Sequence, residues 1–107
     1  MLVDLRQGEW EKLVKEAGFK YPLAITGTAF ATVIGEELPE GQDQKGRLWD
    51  VLMLLRQAIK KSPESDHVEF TVSVWNGSKH EEVKLWSVCG PGDEAEPVIT
   101  IMLEGED

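Results

Sequence analysis

The most constraining feature of this sequence is a pair of alternating segments on either side of an Asn-Gly dipeptide. Apolar residues occupy every second position of the first segment: Val68, Phe70, Val72 and Val74. After Asn76-Gly77, Val83 and Leu85 continue the alternation. A period of two is typical of strands with one buried face, and Asn-Gly between two such runs favours a tight turn. The segment therefore predicts an antiparallel β-hairpin.

The register of this hairpin follows if Asn76-Gly77 is the two-residue turn. The pairs that result are Trp75 with Ser78, Ser73 with His80, Phe70 with Val83, Glu69 with Lys84, Val68 with Leu85, and His67 with Trp86. Apolar pairs then share one face, and Glu69 gains an opposite charge across the strands. A further apolar run, Val98–Leu103, predicts a third strand and a C-terminal β-meander.

Trp75 and Trp86 share the outward face of this hairpin with His67 and His80. Tryptophan side chains bury a large area at a low entropic cost, so exposed ones are typical of interfaces. We expect this face to contact a protein partner or a second copy, unless the N-terminal segment covers it. Trp10 and Trp49 lie in predicted helices and are expected in the core.

The N-terminal half predicts helices. Apolar positions spaced three and four residues apart favour a helix over about 8–17, and a broader apolar stripe favours one over 44–61 with Asp43 as its cap. Thr26 is a candidate cap for a helix over about 26–38, although β-branched residues there leave a strand as the alternative. Residues 2–5 form either a short edge strand or the approach to the first helix.

These elements predict one α+β domain over residues 1–107, mainly helical over 1–61 and made of antiparallel strands over 62–107. About three helices would pack on a three- to four-stranded antiparallel sheet. A length of 107 residues suits a single domain.

The charge is unevenly distributed along the chain. Residues 1–61 carry nine acidic and nine basic side chains, whereas residues 62–107 carry eleven acidic side chains against only Lys79 and Lys84, giving the whole net charge of −9. Direct binding to nucleic acid requires a clustered basic surface. We therefore expect no direct nucleic-acid contact, and a basic partner or simply a well-hydrated acidic surface.

Catalytic and metal-binding patterns are weak. Cys89 is the only cysteine, and the predicted register points it to the core, away from His67 and His80. Asp93, Glu94 and Glu96 could supply carboxylates to Mg²⁺ or Ca²⁺, but without the spacing of a calcium loop. We expect no catalytic residue, metal or cofactor. The cysteine usage and the absence of an apolar run long enough to span a bilayer predict a cytoplasmic protein without membrane contact.

Arg47 and Asp50 lie three residues apart near the start of the long predicted helix, where they can pair. Alternatively, Arg47 bonds the Asp93 loop and holds the meander to the helix. The functional interpretation is a guanidinium offered to an anionic small-molecule ligand, with Arg47, Asp50 and Asp93 as binding residues.

Two stretches, Gly41–Leu52 and Gly90–Leu103, resemble an uncharacterised family of small bacterial proteins with members in phages and other mobile elements. Tyr21-Pro22 followed by Thr26 is a third, weaker point of similarity. The resemblance covers most of residues 19–107. It implies no known activity, and it favours a mobile-element accessory protein over a metabolic enzyme.

The leading hypothesis is a non-enzymatic acidic binding protein that sequesters or inhibits a host protein, with Trp75 and Trp86 at its binding face. Self-association into a homo-oligomer is a second use of that face. The alternative, of a different class, is a small-molecule-binding or metal-dependent enzyme domain built on the Arg47, Asp50 and Asp93 region.

Overall fold

The fold is a five-stranded mixed sheet with its helices on one face. A computed structural model describes residues 2–91 and 96–106. In chain order the elements are β1 (Leu2–Asp4), α1 (Glu9–Glu16), β2 (Leu23–Thr26), α2 (Gly27–Ala29) continued by a π-helical turn (Phe30–Ile34), α3 (Gln44–Lys61), β3 (His67–Trp75), β4 (His80–Pro91) and β5 (Pro97–Leu103). The order across the sheet is β1-β2-β5-β4-β3.

The sheet is larger than the sequence predicts. The α+β class and the antiparallel β3-β4-β5 meander are confirmed. The prediction of a three- to four-stranded antiparallel sheet is wrong, because β2 adds to β5 in parallel and β1 adds to β2 antiparallel. Leu23–Thr26 lies between β1 and β5 with three of its four residues buried, and a strand buried on both faces does not require an alternating pattern.

The hairpin register is shifted by two residues from the predicted one. Trp75 pairs with His80, and four residues rather than two connect β3 to β4. The side chain of Asn76 accepts hydrogen bonds from the amides of Ser78 and Lys79, both at 3.0 Å, and Gly77 supplies the positive φ of 97° that the loop requires.

This shift changes the partners but not the faces. Glu69 faces Trp86 instead of Lys84, and His67 faces Val88 instead of Trp86. His80 faces Trp75 instead of Ser73. An even shift of register leaves each side chain on its predicted side of the sheet, because side chains alternate with a period of two.

The helices begin where their capping residues predict. Asp43 accepts a hydrogen bond from the Gly46 amide at 2.6 Å and α3 ends at Lys61, as predicted. Thr26 caps α2 by accepting from the Ala29 amide at 3.1 Å. The helix that follows is shorter than predicted, because Gly35 ends it with a φ of 75°.

The core lies between the helices and one face of the sheet, here called the inner face. Every strand except β1 supplies fully or nearly fully buried inner-face residues: Leu23, Ile25, Val68, Val72, Leu85, Ile99 and Ile101. Helical residues close the core from above, namely Val14, Val33, Ile34, Leu48, Val51, Leu52 and Leu55. Trp10 and Trp49 pack at its margin, half-buried.

We predict that Leu52→Ala lowers the free energy of unfolding by about 2–5 kcal/mol, because the side chain is fully buried and its loss leaves a cavity. Urea denaturation measures this change. Leu2→Ala is the matched control, since Leu2 is 58% exposed and should change stability by no more than about 0.5 kcal/mol. Equal effects of the two substitutions would contradict this assignment of the core.

Candidate functional site

The candidate site is the face of the sheet opposite the helices, here called the outer face. In β3 and β4 it is formed by the positions that alternate with the core: His67, Glu69, Thr71, Ser73, Trp75, His80, Glu82, Lys84, Trp86 and Val88. The helical residues of the core all pack on the inner face, and within residues 2–91 and 96–106 no helix lies over the outer one. The alternative, that the N-terminal segment covers this face, does not hold for the described residues, since β1 joins the sheet at its far edge.

Two tryptophan–histidine pairs occupy this face. The rings of Trp86 and His67 are 4.7 Å apart and inclined at 63°, and those of Trp75 and His80 are 5.0 Å apart at 55°. Trp86 lies opposite Glu69, six residues from Trp75 along β3, which corresponds to roughly 20 Å. Both tryptophans are half-buried and both histidines are exposed.

Polar residues separate the two pairs. Thr71 faces Lys84 and Ser73 faces Glu82 across the strands, and all four are exposed. Glu69 lies beside the first pair, with its Oε2 3.5 Å from the His67 Nε2. The outer face of the hairpin therefore presents two aromatic ends joined by a narrow polar strip.

Trp86 has a further property. Its indole Nε1 is buried, yet it has no hydrogen-bond partner among the described residues. Its neighbour across the β4–β5 ladder is Met102, which is only 7% exposed although no helix of the described residues covers it. The half-buried indole thus lies beside an apolar side chain on the outer face and adds a large apolar area to it.

The opposite edge of the outer face carries a charge pair. The Arg6 guanidinium donates to Asp4 Oδ1 from Nε at 3.0 Å and to Oδ2 from NH2 at 3.0 Å. These hydrogen bonds, together with one from the Arg6 backbone amide, lower the pKa of Asp4. The pair places two charged side chains at the end of β1, the edge strand on this side of the sheet.

Arg47 forms a structural tie. It donates to the carbonyl of Trp75 through NH2, to the carbonyl of Ile34 through NH1 at 3.4 Å, and to Gln42 Oε1 through Nε at 3.4 Å. The side chain thus connects α3 to the end of β3 and to the end of the π-helical turn. The predicted bond from Arg47 to the Asp93 loop falls on residues outside the described ones, and among the described residues Arg47 reaches the meander through the backbone carbonyl of Trp75.

Asp50 and Asp93 do not join Arg47 in a described site. Asp50 is exposed and forms no ion pair or hydrogen bond with the described residues, so the predicted Arg47–Asp50 pair is absent from this part of the chain. Asp93 and Glu94 lie outside the described residues. β4 runs from His80 to Pro91, twelve residues and roughly 36 Å along the strand. Arg47 binds the carbonyl of Trp75, which pairs with His80, whereas the acidic segment follows Pro91 in the sequence.

Other chemical features are sparse. Within the described residues, no group of three or more His, Cys, Asp or Glu side chains could hold a metal ion. Glu96, from the acidic loop, lies 4.0 Å from Arg6 NH1. Cys89 is half-buried against the core, as predicted. No helix of the described chain is both long and apolar enough to cross a membrane.

The comparison with known proteins identifies a family. Residues 2–107 match the family described as "Family of unknown function (DUF6573)", so the chain belongs to it. The predicted membership of an uncharacterised family is confirmed. No curated protein matches the chain, and no solved structure does.

We predict that Arg47→Met lowers the free energy of unfolding by about 1–3 kcal/mol, because the carbonyls of Trp75 and Ile34 lose a charged donor. Asp50→Asn, one turn along the same helix, should change stability by no more than about 0.5 kcal/mol. Chemical denaturation of both variants distinguishes a structural arginine from a ligand-binding one. Unchanged stability of Arg47→Met would return Arg47 to the list of candidate ligand contacts.

Proposed function

We propose that this member of a family of unknown function is a non-catalytic binding protein that holds a basic protein partner on its outer face. One observation carries the proposal. In the part of the chain that the structure describes, the helices cover only the inner face of the sheet, and Trp75 and Trp86 lie on the uncovered one.

The aromatic residues support a protein partner. Tryptophan combines a large apolar area with few rotatable bonds, and interface hot spots are enriched in it. The two tryptophan–histidine pairs lie at the two ends of the hairpin, at a spacing that suits a folded protein surface better than a small molecule.

The charge supports a basic partner. The chain carries a net charge of −9, and residues 62–107 hold all of it. On the outer face of the hairpin, Glu69 and Glu82 outnumber Lys84. Charge of one sign raises the rate of encounter with a surface of the other sign and disfavours acidic partners.

A basic surface of this kind is what nucleic-acid-binding proteins present to phosphates. An acidic protein seated on it would compete with nucleic acid without touching any itself. We extend the proposal to an inhibitory or accessory role in the bacterial cytoplasm for a phage or mobile-element protein, which the family resemblance favours. We do not propose an enzyme at Arg47, because its Nε, Nη1 and Nη2 each already donate a hydrogen bond within the fold.

We predict that the immobilised protein retains a basic protein from bacterial lysate, and that Trp75→Ala/Trp86→Ala abolishes this retention while preserving the melting temperature within a few degrees. The substitution removes the aromatic area and leaves the net charge unchanged. Retention should also fall as salt rises, because the contact depends on charge. Native mass spectrometry of the eluted complex gives its stoichiometry.

The matched control is Lys12→Ala/Glu16→Ala, which removes an exposed ion pair of α1 on the helical side and also keeps the net charge. This variant should retain the same protein as the unsubstituted chain. Equal retention by the tryptophan variant, or retention that does not respond to salt, would refute the proposal.

A further inference from the structure

The two edges of the sheet differ in how they are protected from pairing with other strands. β1 has three residues and carries the Asp4–Arg6 pair, two features that discourage edge-to-edge contact. β3 has nine residues, no proline, no lysine or arginine, and a high content of β-branched and aromatic side chains. A long edge strand of this composition is a template for another strand.

We propose that two copies of this protein pair antiparallel along β3, with a two-fold axis at Thr71, to form one continuous ten-stranded sheet. The proposal concerns the edge of the sheet, and it does not rest on the function proposed for the outer face.

The backbone of β3 fixes which groups are available. The Cys89 amide donates to the Asp66 carbonyl at 2.8 Å, and the Asn76 amide donates to the Lys79 carbonyl at 3.1 Å. Hydrogen-bonded pairs alternate with non-bonded ones in an antiparallel ladder, so the even-numbered residues between these points bond to β4. The odd-numbered residues of β3 therefore direct their amides and carbonyls towards the open edge.

Some of these outward amides and carbonyls already have hydrogen-bond partners within the chain. The Ser65 hydroxyl accepts from the His67 amide at 3.2 Å and donates to the His67 carbonyl at 2.6 Å. At the other end of β3, the Arg47 guanidinium donates a hydrogen bond to the carbonyl of Trp75. The outward groups of Glu69, Thr71 and Ser73 have no partner among the described residues. The stretch of unpaired backbone groups, Glu69–Ser73, is thus centred on Thr71.

A second copy can pair with all of the outward backbone groups in this stretch. Pairing Thr71 with Thr71, and Glu69 with Ser73 in both directions, forms six backbone hydrogen bonds that use every outward amide and carbonyl of the three residues. Glu69 faces a serine instead of another glutamate, so no like charges are directly opposed.

The side chains of the inner face match as well. Phe70 would face Val72 of the second copy, and Val68 would face Val74 of the second copy. Phe70 and Val74 are only half-buried in the single chain, so pairing removes apolar surface from water. Interfaces contain about one hydrogen bond per 100–200 Å², so six bonds correspond to an interface of about 600–1,200 Å². An area of this size fits a reversible dimer.

Two variants test the proposal with folding held constant. Thr71→Glu places a carboxylate opposite Lys84 within the chain, and Ser73→Lys places an ammonium opposite Glu82, so both gain an attractive pair in the monomer. The two variants differ in the charges that they bring together across the two-fold axis. Thr71→Glu places two carboxylates, one from each copy, opposite each other, whereas Ser73→Lys places an ammonium opposite Glu69 of the second copy.

Sedimentation velocity on the intact chain, from low micromolar to several hundred micromolar, measures the dimer dissociation constant. We expect a monomer–dimer equilibrium for the unsubstituted protein, a dissociation constant raised about tenfold by Thr71→Glu, and one unchanged or lowered by Ser73→Lys. Higher salt should reduce the difference between the two variants.

Amide exchange localises the contact. In the monomer the amides of Glu69, Thr71 and Ser73 should exchange quickly while that of Phe70 is protected. In the dimer all four should be protected. A protein that stays monomeric at every concentration overturns the proposal, as does a dimer insensitive to Thr71→Glu or one lost equally in Ser73→Lys. A dimer lost only in Trp75→Ala/Trp86→Ala also overturns it, because the outer face would then be the self-association surface.

The Trp75→Ala/Trp86→Ala variant separates this proposal from the proposed function. It removes the aromatic side chains of the outer face and leaves Glu69, Thr71 and Ser73 of the edge in place, so it should lose the basic partner and still dimerise. Failure of dimerisation and failure of partner binding are therefore independent results.

Discussion

The organisation of the whole molecule depends on the division of the sheet into one apolar face and one mixed face. The inner face must be covered, because alternating Val, Leu and Ile residues of four strands would otherwise lie in water. The helices satisfy this requirement from one side, with the broad stripe of α3 packed on β3 and the shorter α1 and α2 at its flanks. Among residues 2–91 and 96–106, no helix lies over the outer face and no strand pairs with the free side of β3. The outer face and the edge of β3 consequently remain as surfaces of the described chain.

Local signals in the sequence predicted the elements that local chemistry determines. Asp43 caps α3 and the helix ends at Lys61, both as expected, since the ends of a helix depend on neighbours within four positions. The faces of β3 and β4 were also predictable, because alternation defines them whatever the pairing. The two-residue error in register arose at Asn76, whose side chain bonds two loop amides and extends the connection to four residues.

Non-local pairing was not predictable in the same way. β2 has four residues, three of them buried, and its partners β1 and β5 lie far apart in the sequence. Thr26 was recognised as a helix cap, but the three apolar residues before it, Leu23–Ile25, form too short a run to predict the strand that ends at the same threonine. Arg47 shows the same difficulty in the site. Its position on α3 was evident, but the carbonyl of Trp75 as its acceptor becomes visible only when β3 packs beside the helix.

The two proposed surfaces meet at the same residues, and this has a physical consequence. In the antiparallel pairing about Thr71, His67 of one copy lies next to Trp75 of the other. His67 already contacts Trp86 within its own chain, and Trp75 contacts His80. A polar strip separates the two aromatic pairs within one chain. In the dimer, the Trp86–His67 pair of one copy would lie beside the Trp75–His80 pair of the other, once on each side of the two-fold axis. The dimer would then present two equivalent aromatic clusters on one continuous outer face, and its net charge would be twice the −9 of one chain. A partner with two basic sites would bind such a face with an avidity that neither copy has alone, because the second contact forms at a high effective concentration.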